Sequence, residues 1–267
     1  MAQQSYPNVE QFVVDGGSSD TTLELLRSAA PNVHFISLPG CRQAAAVNRA
    51  AASTSGEFLL VLNADDLLVP EGCALLVEAM RRSPEVAVVY GEADHIDEHG
   101  AFIERYPTLP FDRESLRKTC FISQPAALVR RSAFAEVGGM AEALEYSLDY
   151  DFWIRLAQQH EFLKIEALVA HVRLHSGAKT VAKKAAVARE VISTLKSHYA
   201  YAPYEWVAAY ANHLVDERAG QVPAVVGSGL KAAFSLPLGC VLNYPKVGRF
   251  ARDWFAHRSV GSTLRGR

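Results

Sequence analysis

The 267-residue chain is 49% hydrophobic and carries 27 Lys and Arg against 29 Asp and Glu, a formal charge of −2. That balance excludes polyanion binding driven by bulk charge, and the length allows one large α/β domain or one domain with a smaller appendage. Cys41, Cys73, Cys120 and Cys240 form no Cys-x-x-Cys pair, which argues against a zinc site or a disulfide framework and fits a reducing compartment.

The polar start, MAQQSYPNVEQ, has no apolar signal core. Phe12 to Val14 read as a short buried strand that ends in a Gly-rich turn at Asp15-Gly16-Gly17. SDTTLELLRSAA reads as a helix, with Ser19 or Asp20 as N-cap and Leu23, Leu26 and Ala30 on one face. VHFISLP is a second strand, and RQAAAVNRAAAST a helix ended by Gly56. A strand over 57–62 then runs into Asn63-Ala64-Asp65-Asp66. PEGCALLVEAMRRSP is a helix opened by Pro70 and closed before Pro84, and VAVVYGEADHID is a further strand. This alternation predicts a parallel, helix-covered sheet.

Past residue 100 the pattern loosens. PAALVRRSAFAEVGGM reads as a strand, a helix and a stop at Gly138-Gly139. DYDFWIRLAQQH starts a helix, LVAHVRLHSGAKT is a strand leading to a polar loop, and helices follow from about 183. The apolar stretch 222–242 is interrupted by Lys231 and Pro237 and is not a clean membrane span.

Two adjacent carboxylates at the end of a buried strand repel one another and are costly to desolvate. A bound cation explains Asp65 and Asp66; so does a helix start, where Asp is a favoured N-cap. Together, YPNVEQFVVDGGSSD, AAAVNRAAASTSGEFLLVLNADD, QPAALVRRSAFAEVGG and LDYDFWIRLA resemble the family 2 glycosyltransferases in order and spacing. RLHSGAKT fits the final segment of the same pattern, so the resemblance covers about residues 5–180. It implies an α/β chain of the GT-A (nucleotide-diphospho-sugar transferase) fold. A mostly parallel central sheet flanked by helices would occupy 1–182, with a helical C-terminal extension over 183–267. The implied reaction moves a sugar, with inversion, from a nucleotide-diphosphate donor to a hydroxyl of a glycan or lipid-linked acceptor in polysaccharide or glycoconjugate biosynthesis. A divalent Mn or Mg cofactor and a cytoplasmic location, at most peripheral to the inner face of the membrane, go with it. Measured against the family pattern, the usual first strand and helix are missing, and Gly16 stands where many members carry a second Asp. A truncated, non-catalytic remnant that binds a nucleotide or a partner is the alternative. A nucleotidyltransferase would need a phosphate loop that is not visible, and a Rossmann dehydrogenase a GxGxxG after the first strand.

The resemblance also assigns roles. Asp65 matches a DxD-type metal motif, and a metal there would offset charge on a departing diphosphate with only one or two protein ligands. Asn63 would hydrogen-bond ribose or phosphate, and Asp66 would bind the sugar or brace the loop. Asp149 falls at the catalytic-base position, where a carboxylate takes the acceptor proton; as a plain helix cap it would do nothing chemical. Asp15 would contact the nucleotide, or close an Asx-type turn. Arg42, Gln43 and Asn48 precede the acidic strand and would cross the donor pocket, Arg42 reaching the diphosphate. His175 would complete the metal site, and Lys179 would add positive charge beside it. Gln124 would face the acceptor. Trp153 would line the acceptor site or sit in the core. The basic, partly apolar C-terminal region would rest on a membrane surface or pack as an ordinary helical tail.

Overall fold

The computed structural model describes residues 3–29, 33–175, 183–219 and 224–263. The chain forms two compact units: Met1–Leu116 with Cys120–Ser176, and Arg117–Thr119 with Gly177–Arg267.

The first unit begins with β1 (Phe12–Asp15), α1 (Thr22–Ala29), β2 (His34–Ser37) and α2 (Gln43–Ser53). β1 and β2 pair in parallel as a two-stranded sheet. Next come β3 (Phe58–Leu60), β4 (Leu67–Leu68), α3 (Gly72–Arg82), β5 (Val86–Ile96) and β6 (Phe102–Arg105). The unit closes with α4 (Arg113–Leu116), β7 (Ala127–Arg130), α5 (Arg131–Glu136), α6 (Leu148–Ala157) and β8 (Glu161–Arg173). The larger sheet runs β3-β7-β5-β8-β4, with β6 paired to β5. Among the described residues no strand hydrogen-bonds the two sheets together, but Glu10 Oε2 accepts from the Ser55 N–H at 2.8 Å, so the lead-in to β1 lies beside the lead-in to β3.

The expectation of a mostly parallel sheet is corrected here: the larger sheet is mixed. Only β5 and β8 run parallel in it; β3–β7, β5–β7, β5–β6 and β4–β8 are antiparallel. The strand-helix alternation holds for β1–α1–β2. After β5, however, the chain reverses through a tight turn rather than a helical crossover. Asp97 Oδ1 accepts from the His99 and Ala101 N–H groups at 2.9 and 2.8 Å, and Gly100 takes φ +89°. That is an Asx turn followed by a left-handed glycine, the local chemistry of a hairpin.

The core is where α3 meets the sheet: Leu76, Val77 and Met80 pack on Val86, Val89 and Ala93 of β5, Leu128 of β7, and Val169 and Ala170 of β8. Leu76, Met80, Val89, Ala93, Val169 and Ala170 are wholly buried. Fully burying one such aliphatic side chain contributes about 1.5–3 kcal/mol, so this cluster fixes the strand register on which the polar residues below depend.

The second unit contains α7 (Lys184–Tyr199), α8 (Tyr204–Ala219), α9 (Ala224–Leu242) and α10 (Val247–Thr263). Ile192, Tyr201, Ala202, Val207 and Phe250 form its core, all 6% exposed or less.

Candidate active site

β4 pairs antiparallel with β8, Leu67 opposite His171 and Leu68 opposite Ala170. Continued outward, this register sets Asp65 opposite Arg173 and brings the chain just beyond β8 to the acidic turn. Asp65 and Asp66 therefore occupy a strand-to-strand turn; α3 starts only at Gly72, so neither caps it. Asp65 is exposed, with its side chain 44% accessible, and its Oδ2 lies 3.2 Å from His175 Nε2. Asp66 is 6% exposed. Its Oδ1 accepts from the Arg173 N–H at 3.0 Å and its Oδ2 from Asn63 Nδ2 at 2.9 Å. Burial nevertheless holds the Asp66 carboxyl above its usual range. Asn63 Oδ1 in turn accepts from Gln43 Nε2 at 2.8 Å. Gln43, Asn63, Asp66, Asp65 and His175 are thus one connected group. Asp66 braces the turn and leaves Asp65 and His175 turned to solvent.

Arg173 joins this group without having been predicted. Its Nε donates to the Asp65 carbonyl at 3.1 Å, and its Nη1 donates to the Asp97 and Glu98 carbonyls at 2.8 and 2.9 Å. The guanidinium fork ties the β5–β6 turn to the acidic turn. The only sequence signal was its place two residues before His175. Lys179 lies outside the described residues.

The other predicted residues lie outside this hydrogen-bonded group. Asp15 is buried at the end of β1 and accepts from the Gly17 and Ser18 N–H groups at 3.0 Å, from Ser37 Oγ at 2.8 Å and from Ser18 Oγ. The Ser18 hydroxyl, followed by that of Ser37, lowers its pKa to about 2. Its carboxylate closes the turn, as the Asx alternative expects. Asn48 is engaged within the protein: its Oδ1 accepts from the Met140 N–H at 2.8 Å, and its Nδ2 donates to the Met140 carbonyl and Glu142 Oε1, both at 2.9 Å. Gly139, at φ +72°, lets this clamp close, because a Cβ there would lie 2.5 Å from Asn48 Oδ1. Arg42, at the start of α2, is exposed, and its guanidinium makes no hydrogen bond or ion pair among the described residues.

Asp149 sits in the first turn of α6, half-buried, with Oδ1 accepting from the Tyr150 N–H at 2.8 Å. Burial raises its pKa. Its neighbours are the Tyr106 phenol and the Cys120 thiol; burial raises both of their pKa values, and the Asp149 charge adds to the rise. Tyr106 donates to the Cys120 carbonyl at 3.1 Å. No local pattern in the residues pointed to either neighbour. Trp153, on the same helix, is 2% exposed and packs against Phe152 and Phe162, so its ring belongs to the core. Gln124 is 8% exposed. Gln124 and Trp153 line one cavity of about 10 Å³ with Leu59, Val61 and Phe152. Among the described residues neither Gln124 Nε2 nor Trp153 Nε1 has a hydrogen-bond partner.

Among the described residues no three His, Cys, Asp or Glu side chains converge as a metal cage. Asp65 Oδ2 and His175 Nε2, 3.2 Å apart, are both groups of a kind that can bind a divalent cation.

A family model described as glycosyl transferase family 2 matches residues 1–138. A Haemophilus influenzae protein described as an uncharacterized glycosyltransferase is 23% identical over 74% of this chain and 70% of its own length. An Escherichia coli chondroitin synthase is 28% identical over 70% of this chain, which spans only 28% of that enzyme. Among solved structures, S. aureus TarS 1-349 in complex with UDP-GlcNAc superposes with a TM-score of 0.60 at 14% identity, covering 99% of this chain and 85% of that one. The Pyrobaculum calidifontis mannosyltransferase PcManGT, in complex with GDP-Man and Mn²⁺, gives 0.51 at 17% identity, covering 98% and 73%. These likenesses establish the GT-A fold.

Proposed function

The chain belongs to glycosyl transferase family 2, and from that membership we propose that it moves a sugar, with inversion, from a nucleotide-diphosphate donor to a hydroxyl of a glycan or lipid-linked acceptor. Polysaccharide or glycoconjugate assembly is the setting, in line with the synthase among its relatives. The observation that carries this reading is the meeting of Asp65 and His175, 110 residues apart in sequence and 3.2 Å apart in space, in front of a braced carboxylate.

In this reading Asp65 and His175 are the residues that would hold a divalent Mn or Mg ion. When bound, that ion offsets the charge that builds on the leaving phosphate. Asp66 keeps Asp65 in place, and Gln43 and Asn63 line the same side for ribose or phosphate. Arg42, with no partner among the described residues, reaches the diphosphate. Asp15 shapes the turn that meets the nucleotide. Asp149 receives the acceptor proton as the acceptor oxygen bonds to the anomeric carbon and the bond to the diphosphate oxygen breaks, its electron pair leaving with the diphosphate. Partial burial suits Asp149 to this role, because a carboxylate of raised pKa is a better base once ionised. Gln124 stands at the acceptor side.

Calorimetric titration with UDP and with GDP, each with and without Mn²⁺, tests the proposal. Wild type binds one of them in a Mn²⁺-dependent manner, and Asp65→Ala loses that dependence while melting as wild type. Equal binding with and without Mn²⁺ would overturn the metal assignment.

A further inference from the structure

The near-neutral total charge hides a segregation. From Ala219 to Arg267 the sequence carries seven Lys and Arg and a single acid, Asp253; the rest of the chain carries twenty against twenty-eight. Asp253 is itself engaged, accepting from the Tyr201 hydroxyl.

The structure shows what this basic segment presents at the turn between α9 and α10. Asn243 is 2% exposed and pins the turn: its Oδ1 accepts from the Ala202 N–H at 2.7 Å, and its Nδ2 donates to the Ala202 and Gly239 carbonyls at 3.1 and 3.0 Å. The Phe250 ring lies where a Cβ on Gly239 would stand, 1.9 Å away, so the two helices cross at close range. On either side of this anchor Val241 is 76% exposed and Tyr244 81%, the two most exposed large apolar side chains among the described residues. Lys246, Arg249 and Arg252 follow, all exposed. Phe255, 62% exposed, shares a helix face with Arg252 by its three-residue spacing. A single exposed apolar side chain needs no explanation. Two of them at a turn pinned by Asn243, with the exposed Lys246 and Arg252 beside them and Arg249 stacked over the Tyr201 ring, match the chemistry of a lipid headgroup region: cations meet anionic phosphates while Tyr and Val enter the boundary. Nucleic acid would use the cations but would have no use for Val241. Among the described residues no helix is long and apolar enough to cross a membrane, so the contact would be superficial.

We propose that the α9–α10 turn, through Val241, Tyr244, Lys246 and Arg252, docks on an anionic phospholipid surface.

Sedimentation of the full chain with vesicles of phosphatidylcholine alone, or of phosphatidylcholine mixed with phosphatidylglycerol, tests this without donor or metal, and so independently of the catalytic reading. The chain pellets with the anionic vesicles and not the neutral ones, and high salt weakens the binding. Lys246→Glu/Arg252→Glu lowers partitioning roughly tenfold or more, since each lost surface cation is worth about fivefold. Val241→Ser/Tyr244→Ser lowers it by about tenfold. Both variants alter exposed side chains, and unchanged thermal unfolding confirms that they fold. Equal pelleting with neutral and anionic vesicles, no pelleting at all, or full binding by Val241→Ser/Tyr244→Ser would overturn the proposal. Tight binding to heparin or duplex DNA without vesicle binding would replace it with a general polyanion surface.

Discussion

The Arg173 N–H donates to Asp66 Oδ1 at 3.0 Å, while the Arg173 guanidinium holds the backbone carbonyls of Asp65, Asp97 and Glu98. One residue therefore fixes the acidic turn from its main chain and from its side chain. Arg173→Lys keeps the charge but loses the planar fork. Urea denaturation should show a loss of roughly 1–3 kcal/mol, accompanied by weaker Mn²⁺-dependent nucleotide binding. Unaltered binding would mean that the acidic turn holds its shape without the fork.

Burial raises the Asp149 pKa, so the folded state favours the protonated carboxyl. Transfer should therefore rise with pH as Asp149 ionises, with a midpoint above the ordinary carboxylate value. Asp149→Asn should lower kcat by on the order of 10²–10⁴. Stability moves the other way: the contribution of this group is present below its unfolded pKa and is lost as pH rises through the folded value. Asp149→Asn is accordingly more stable than wild type at neutral pH, and the difference closes in acid. A loss of stability at neutral pH would show that Asp149 is a structural cap.

Asp15 shows the opposite sign. Its pKa is lowered to about 2, chiefly by the Ser18 and Ser37 hydroxyls. The stability it supplies is present above the unfolded carboxylate value and is lost as pH falls towards 2. Asp15→Ala should unfold at lower urea concentration than wild type at pH 7, and the two should converge near pH 2. Parallel curves across that range would mean the turn forms without the carboxylate.

Asn48→Ala leaves the Met140 N–H without its partner and removes the clamp between α2 and the loop leading to α6. The expected cost is about 1–3 kcal/mol in urea, with nucleotide affinity unchanged. A selective loss of affinity would return Asn48 to the donor pocket.

The cavity beside Gln124 and Trp153 has two hydrogen-bond donors and no acceptor for them. Its volume is close to that of a single water site. A crystal structure at high resolution should show one ordered water bridging Gln124 Nε2 and Trp153 Nε1. An empty cavity would mean that these donors are left unsatisfied.

Much of this was legible in the residues. The helices over 43–53 and 72–82 and the strand ending at Asp15 follow from period, caps and punctuation, the strand before the acidic turn is shorter than 57–62, and the ordered motifs pointed to the family. What escaped was set by long-range pairing. The sheet is mixed because β7 runs antiparallel to β3 and β5, β4 antiparallel to β8, and β6 returns on β5; only the last had a local turn signal, in Asp97 and Gly100. Arg173 gained its role only when β8 was laid beside β4, and Tyr106 met Asp149 through contacts no local pattern encodes. The clamp from Asn48 to Met140 and Glu142 was not foreseen, because a helix position says nothing about which loop lies over it. Trp153 could be read either way, since an aromatic on an amphipathic helix looks the same whether it meets ligand or core.

The separation of the two sheets has a practical consequence. β1 is paired with β2 on one flank, β3 with β7 on one flank, and among the described residues each has an open flank. Such a flank is a row of unspent N–H and C=O groups that can template pairing between molecules.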